Sequence, residues 1–189
     1  MKKIPTIFDR DWGGDRSRVV NQPNPDCGWV FAGEGVATRK MDGTCCAVID
    51  GQFVKRRELK QGASEPDNFI LVDKDETTGK SVGWVPVSDG PEDRWYREAW
   101  DQRPPLWDGE TMELVGPKIQ GNPEGYDTHR LIVHDHKALV FDDQPPRTFE
   151  GLRSWMDGKD IEGIVFHHQD GRMGKIKLRD FGLKRKEFK

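Results

Sequence analysis

Three short stretches of the chain carry residues able to do chemistry together. Lys40-Met41-Asp42-Gly43 sets a lysine two residues ahead of a carboxylate, with a glycine closing the turn. Far along the chain, Glu162-Gly163-Ile164-Val165 and Lys175-Ile176-Lys177 lie on either side of a turn signal at Gln169-Asp170-Gly171. K-x-D-G alone is weak, because average residue frequencies produce it by chance in about a few per cent of chains this size, as a surface turn with a solvated lysine. The later stretches add weight. If their hairpin loop holds an even number of residues, Ile164 faces Lys177 and Phe166 faces Lys175. Strand alternation then collects Glu162, Lys175, Lys177 and Arg179 on one face, whereas an odd loop flips that parity. One carboxylate among three cations is not a core composition; the alternative is a basic strand in solvent.

These residues need elements to hold them. Residues 44–49 and 52–57 are strand-like runs around Asp50-Gly51, a strong type I′ hairpin signal. Residues 163–168 and 172–178 form the second hairpin. Further strands are expected at 28–32, 69–73, 112–115, 130–134 and 138–141. Helices are expected at 92–101 and at 148–157, the latter with Thr148 as its N-cap. The whole reads as an α+β chain dominated by antiparallel strands. Gly 21 and Pro 12 with Trp 7 and Phe 9 agree, since they suit short strands and turns better than a helical bundle.

Length and composition bound the function. With 189 residues there is room for one domain with a sizeable core, or two very small ones. A chain 34% hydrophobic and 33% charged, whose longest apolar run is Cys45 to Ile49, has no stretch near the ~20 residues that span a bilayer. No signal-peptide core follows the basic start, and three cysteines without a C-x-x-C make neither a disulfide framework nor a zinc site. A reduced, cytosol-like compartment and no membrane association are expected. Net charge is -3, but Arg172 to Lys189 carries +6, so the remainder carries -9. Such a basic end suits a polyanion partner, or is a solvated tail.

Taken in order, these motifs resemble those of the covalent nucleotidyltransferase superfamily of ATP-dependent polynucleotide ligases and capping enzymes: K-x-D-G, then E-G-x-V, then K-x-K. Between them, Met112-Glu113-Leu114-Val115-Gly116 looks like the third motif, although Thr111-Met112 replaces the usual aromatic-Gly pair. Val54-Lys55-Arg56-Arg57 stands where the family supplies an arginine. Within the superfamily the wording resembles small single-domain 5′–3′ RNA ligases. The arginine that DNA ligases usually carry after K-x-D-G is missing, since Thr44-Cys45 follows Gly43. Only 12 residues follow Lys177, too few for the OB-fold of DNA ligases and capping enzymes.

The resemblance implies three phosphoryl transfers: lysine onto the ATP α-phosphate, AMP onto an RNA 5′-phosphate, and attack by a 3′-hydroxyl to seal the strand. It makes Lys40 the nucleophile, with Lys175 and Lys177 as catalytic cations on the phosphates. Glu113 is expected on the ribose hydroxyl and Glu162 near the metal, Mg2+ or Mn2+ in its place. Asp42 either orients the nucleophile loop or only forms the turn. Arg56 is expected to grip a phosphate or the RNA end, with Arg57 the alternative. Val133 or His134 falls where the family stacks adenine, and His134 is the choice. His167 and His168 are expected to be structural, and Cys45-Cys46 to be core packing.

The expectation is therefore a single α+β domain over residues 1–189, of ligase nucleotidyltransferase type, with two antiparallel sheets, flanking helices and a nucleotide cleft between them. Its partner is RNA with 5′-phosphate and 3′-hydroxyl ends, touched by Lys118, Arg179, Lys184 and Arg185 as well as Arg57; no protein partner is evident. The rivals are a minimal DNA ligase, a guanylyltransferase, and a non-catalytic RNA-binding module retaining the cleft. Nucleotide dependence and substrate competition separate the first two, and RNA binding with no covalent nucleotide, unaffected by Lys40→Ala, marks the third.

Overall fold

The computed structural model describes residues 2–76, 78–103, 105, 107–134 and 136–186. Its strands are β1 (Phe8–Arg10), β2 (Val19–Pro23), β3 (Val36–Lys40), β4 (Thr44–Ile49), β5 (Gln52–Leu59), β6 (Ile70–Lys74), β7 (Ser81–Pro86), β8 (Thr111–Val115), β9 (Arg130–Val133), β10 (Gly163–His167) and β11 (Met173–Lys177). The α-helices are α1 (Gly28–Phe31), α2 (Arg94–Asp101), α3 (His136–Leu139) and α4 (Phe149–Met156). All pairings between these strands are antiparallel, so the α+β expectation holds. The chain divides into two compact units, one chiefly Asp42–His134, the other Ile4–Met41 with Asp135–Lys189.

In the first unit a six-stranded sheet runs β6-β7-β5-β4-β8-β9. The β4–β5 hairpin closes as expected: Ile49 pairs with Gln52, and Asp50 and Gly51 both take positive φ, which a type I′ turn demands. One face of the sheet buries Cys46, Val48, Met112, Leu114 and Leu131 together with Phe53 and Ala99 of α2. On the opposite face Ala47, Val54 and Trp84 pack beside half-buried Cys45. Each such aliphatic or aromatic side chain removed from water contributes about 1.5–3 kcal/mol.

In the second unit a three-stranded sheet runs β11-β10-β3, with β1 and β2 forming a separate ribbon. Ala37, Ile164, Phe166 and Ile176 turn into a core that also holds Ile7, Leu152 and Met156. Thr148 caps α4 by accepting the Gly151 N–H, as its sequence position predicts.

Two expected strands are instead helical. Residues 28–31 form α1, with Ala32 as its C-cap, entered through a 3₁₀ turn at Pro25–Cys27 in which the Asn24 side chain accepts the Asp26 N–H. Arg147 then covers the end of α1 by donating to the carbonyls of Val30, Glu34 and Gly35. The run 138–141 overlaps α3, with Val140 making an isolated bridge to Thr38. Such short apolar runs have no periodicity long enough to separate strand from helix. Strands β1, β2, β3 and β7 were not expected from the sequence; Pro86 and Gly83 mask the pattern in β7.

Candidate active site

The three-stranded sheet brings the first and last motifs together. β10 lies between the other two strands: Gly163 pairs with Lys40 on one side and Lys177 on the other, and Val165 with Thr38 and Lys175. Lys40, Lys175 and Lys177 therefore share a face, opposite the one carrying Ile164, Phe166 and Ile176. His167 pairs with Met173, so five residues link the strands. That odd loop corrects the even-loop pairing: Ile164 faces Ile176, not Lys177, and Phe166 faces Gly174, not Lys175. Strict alternation would now send Glu162 to the core side. It escapes because it precedes β10, in the bend where its carbonyl accepts the Leu178 N–H.

From that bend the Glu162 carboxylate reaches both lysines. Lys40 Nζ donates to Oε2 at 2.5 Å and Lys177 Nζ donates to Oε1. Burial works to raise the Glu162 carboxyl, but the charges of Lys40 and Lys177 outweigh it and hold the group below its ordinary value. Gly163 is required here because a Cβ would come within 2.3 Å of the Ile176 carbonyl oxygen. Asp180, 1% exposed, fixes the end of β11 by accepting the Lys177 N–H at 2.8 Å and pairing with Arg10 at 2.7 Å. Neither Asp180 nor Arg10 was singled out from the sequence; for Asp180 the available signal was a carboxylate three residues after Lys177, the N3 position of a capping box.

The other unit holds the second group of candidates. Cys45 and Glu113 pair across β4 and β8, and Glu113 pairs with Ile132 of β9. His134, just past β9, reaches back to Glu113 Oε2 through Nε2 at 3.0 Å, while its Nδ1 meets Thr111 Oγ1 at 3.1 Å. Glu113 is buried, and its Oε1 accepts the Gly43 N–H at 3.2 Å. A Cβ on Gly43 would fall 2.1 Å from the Leu114 carbonyl oxygen, so the glycine of K-x-D-G lets this loop lie against β8. The Asp42 N–H donates to Glu124 Oε1 at 3.0 Å, a loop carboxylate to which sequence reasoning assigned no role.

Register also sets the two arginines on opposite faces. Arg56 lies two residues beyond Val54 and shares its face with Ala47, Cys45 and Glu113, its guanidinium over Trp84 at 5.8 Å. Arg57 is exposed on the opposite face. Lys118, Arg179 and Lys184 are exposed, whereas Arg185 is half-buried, its Nε on Asp160 Oδ1 at 2.5 Å. His167 contacts Thr38 Oγ1 at 3.1 Å, and His168 lies against Glu34 and Asp170. Cys46 is fully buried, and Cys45 is half-buried, packed against Ala47, Val54 and Trp84 and lying beside Glu113 and His134. No helix among the described residues is long and apolar enough to cross a membrane.

Comparison with known proteins bears on this arrangement. The family model described as RNA ligase 1 matches residues 105–188. RNA ligase 1 of Rattus norvegicus is 27% identical over 221 residues, covering 78% of this chain and 67% of that protein. RNA ligase 1 of Mus musculus is 26% identical with the same coverage. RNA ligase 1 of Danio rerio is 35% identical over 82 residues, which are 40% of this chain and span a quarter of that protein's length (25%). The resemblance to RNA ligase-type nucleotidyltransferases read from the motifs is thus shown, at low identity.

Proposed function

We propose that this protein is an ATP-dependent RNA ligase with the ligase-type nucleotidyltransferase fold, joining RNA 5′-phosphate and 3′-hydroxyl ends through a lysyl-AMP at Lys40. The observation that supports it most is the sharing of Glu162 by Lys40 and Lys177, which draws one residue from each of three sequence-distant motifs together on neighbouring strands. Lys40 Nζ attacks the ATP α-phosphorus, forming an N–P bond as the bond to the β-phosphate oxygen breaks and pyrophosphate leaves. An ammonium has no lone pair, so a proton must leave Nζ first, and the positive charges of Lys175, Lys177 and a divalent ion favour that loss by penalising the ammonium form. Lys177 and Lys175 then hold the transferring phosphoryl oxygens. An RNA 5′-phosphate oxygen displaces the lysine from phosphorus, and a 3′-hydroxyl finally displaces AMP.

Glu162 fits a divalent cation by donor chemistry: it offers two hard oxygens, is held anionic, and each oxygen already carries an ammonium. It would hold Mg2+ or Mn2+, and the ion would supply positive charge against the leaving pyrophosphate. Glu113 is assigned to the ribose hydroxyl, His134 to the adenine, Arg56 to a phosphate, and Asp42 to positioning the loop that follows Lys40. Exposed Lys118, Arg179 and Lys184 are assigned to RNA phosphates, with a contact that weakens as salt rises.

The test is incubation with Mg2+ and α-labelled ATP or GTP, denaturation, and detection of label on protein. Label from ATP that vanishes in Lys40→Ala is the expected result. Label from GTP alone points to capping chemistry, and no label from folded protein leaves an RNA-binding module.

A further inference from the structure

We propose that Cys45, Glu113 and His134 form a binding site for Zn2+ or a chemically similar transition metal, separate from the Mg2+ assigned to Glu162. Their ligand atoms all lie within 4.8 Å of one another. A tetrahedral site with metal–ligand bonds of 2.0–2.3 Å has ligand–ligand edges of about 3.3–3.5 Å. The observed 3.0 Å between His134 Nε2 and Glu113 Oε2 would open slightly, and Cys45 Sγ would close by a turn about its Cα–Cβ bond. Thiolate, imidazole and carboxylate together suit zinc and cobalt, whereas Mg2+ requires an oxygen octahedron. Three protein ligands leave a fourth position for water.

The sheet has also built the supports such ligands need. Glu113 Oε1 is held by the Gly43 N–H, which leaves Oε2 for the metal. His134 Nδ1 faces Thr111 Oγ1, a partner that fixes the ring while Nε2 binds. Without metal, Nε2 must carry the proton, because an ionised carboxylate only accepts. On binding, that proton moves to Nδ1 by exchange with solvent, and the Thr111 hydroxyl turns to accept it. The Cys45 thiol proton is released to solvent, so uptake of Zn2+ liberates about one proton. Sequence spacing could not reveal this cluster, since its ligands come from β4, β8 and the residue after β9.

The test titrates the full chain with Co2+, reading the thiolate-to-cobalt charge-transfer absorption, and then displaces Co2+ with Zn2+. One equivalent with that absorption is expected. Cys45→Ser should abolish the absorption and weaken Zn2+ binding by about 100-fold, and Thr111→Val should weaken it by about tenfold. Should Cys45→Ser fold poorly, alkylation of the parent protein decides instead. Zn2+ should slow modification of Cys45 at least tenfold, with buried Cys27 and Cys46 as internal references. Absorption that persists in Cys45→Ser, or alkylation of Cys45 indifferent to Zn2+, overturns the site. A further arm rests on the ligase reading: Zn2+ occupies Glu113 and His134, so it should suppress labelling by ATP, and Cys45→Ser should relieve the suppression. Absent labelling with the cobalt absorption present would defeat the ligase reading and leave the metal site standing.

Discussion

Each unit of the molecule sets a carboxylate against lysine, Asp93 fully buried and Glu162 partly so, and the two carboxylates are held differently. Asp93, 1% exposed, accepts from Lys55 Nζ and from both the N–H and the hydroxyl of Ser88. Lys55 in turn lies 5.6 Å from the Tyr96 ring, in the packed ground between β5 and α2. Glu162 has no such neutral donors among its described partners; two ammonium groups share it. For both carboxyls burial pushes the pKa up; at Asp93 the hydrogen bonds from Lys55 and Ser88 override it, and at Glu162 the charges of Lys40 and Lys177 do. The difference lies in what the lysine can do next. Lys55 completes a closed network, while Lys40 and Lys177 concentrate positive charge where a polyphosphate could compete for them. A buried ion pair is therefore poor evidence for a site; several like charges gathered on one opposite charge are better evidence.

The comparison breaks most sharply at the lysines. Lys40→Ala should lower ATP-dependent labelling by about 10⁴-fold or more, as loss of a nucleophile does, with the thermal midpoint little changed. Lys177→Ala should cost about 10²–10³-fold in the labelling rate, the scale of one electrostatic contact to a reacting group. Normal labelling by that variant would remove Lys177 from the phosphates. Lys55→Ala should do the reverse. It leaves Asp93 buried without its cation, so urea denaturation should show a loss of about 3 kcal/mol, while labelling per folded molecule stays at the parent level. If Lys55→Ala instead abolishes labelling without destabilising the protein, the division between structural and reactive pairs fails.

How far the sequence foretold this depends on which residue is asked. The Asp50-Gly51 hairpin and the Thr148 cap were legible because turn and cap chemistry is local. Lys40, Glu162 and Lys177 were legible as a set through their motif order. Their geometry was not, because one residue of loop length sets strand parity: the predicted pairing of Ile164 with Lys177 fails, yet Glu162 meets both lysines from outside the strand. Glu124 and Thr111 act through contacts closed by folding, and no spacing in one sequence marks them, whereas Asp180 had only the local signal of its place three residues after Lys177. Arg56 and Arg57 were inseparable until the β4–β5 register put Arg56 on the Glu113 face. A smaller prediction tests that assignment: Arg56→Ala should raise the ATP or RNA concentration needed for half-maximal rate about tenfold, and Arg57→Ala should leave it unchanged.

The smallest expected effect concerns acid. A carboxyl whose folded value lies below its unfolded one stabilises the fold above the unfolded value, about 4.3 for glutamate. That stabilisation drains away as pH falls through the folded value. Glu162 and Asp93 share this sign, so the parent protein should weaken as pH drops from about 5 towards 3. Glu162→Gln removes one contribution while keeping the side chain's size. The stability gap between parent and variant should be widest near neutral pH and narrow towards zero in acid, since a protonated Glu162 no more neutralises two ammonium groups than a glutamine does. Urea midpoints measured across that range decide it. A gap constant with pH would mean that Glu162 is held by shape and not by charge, and the contrast with Asp93 would then lose its electrostatic basis.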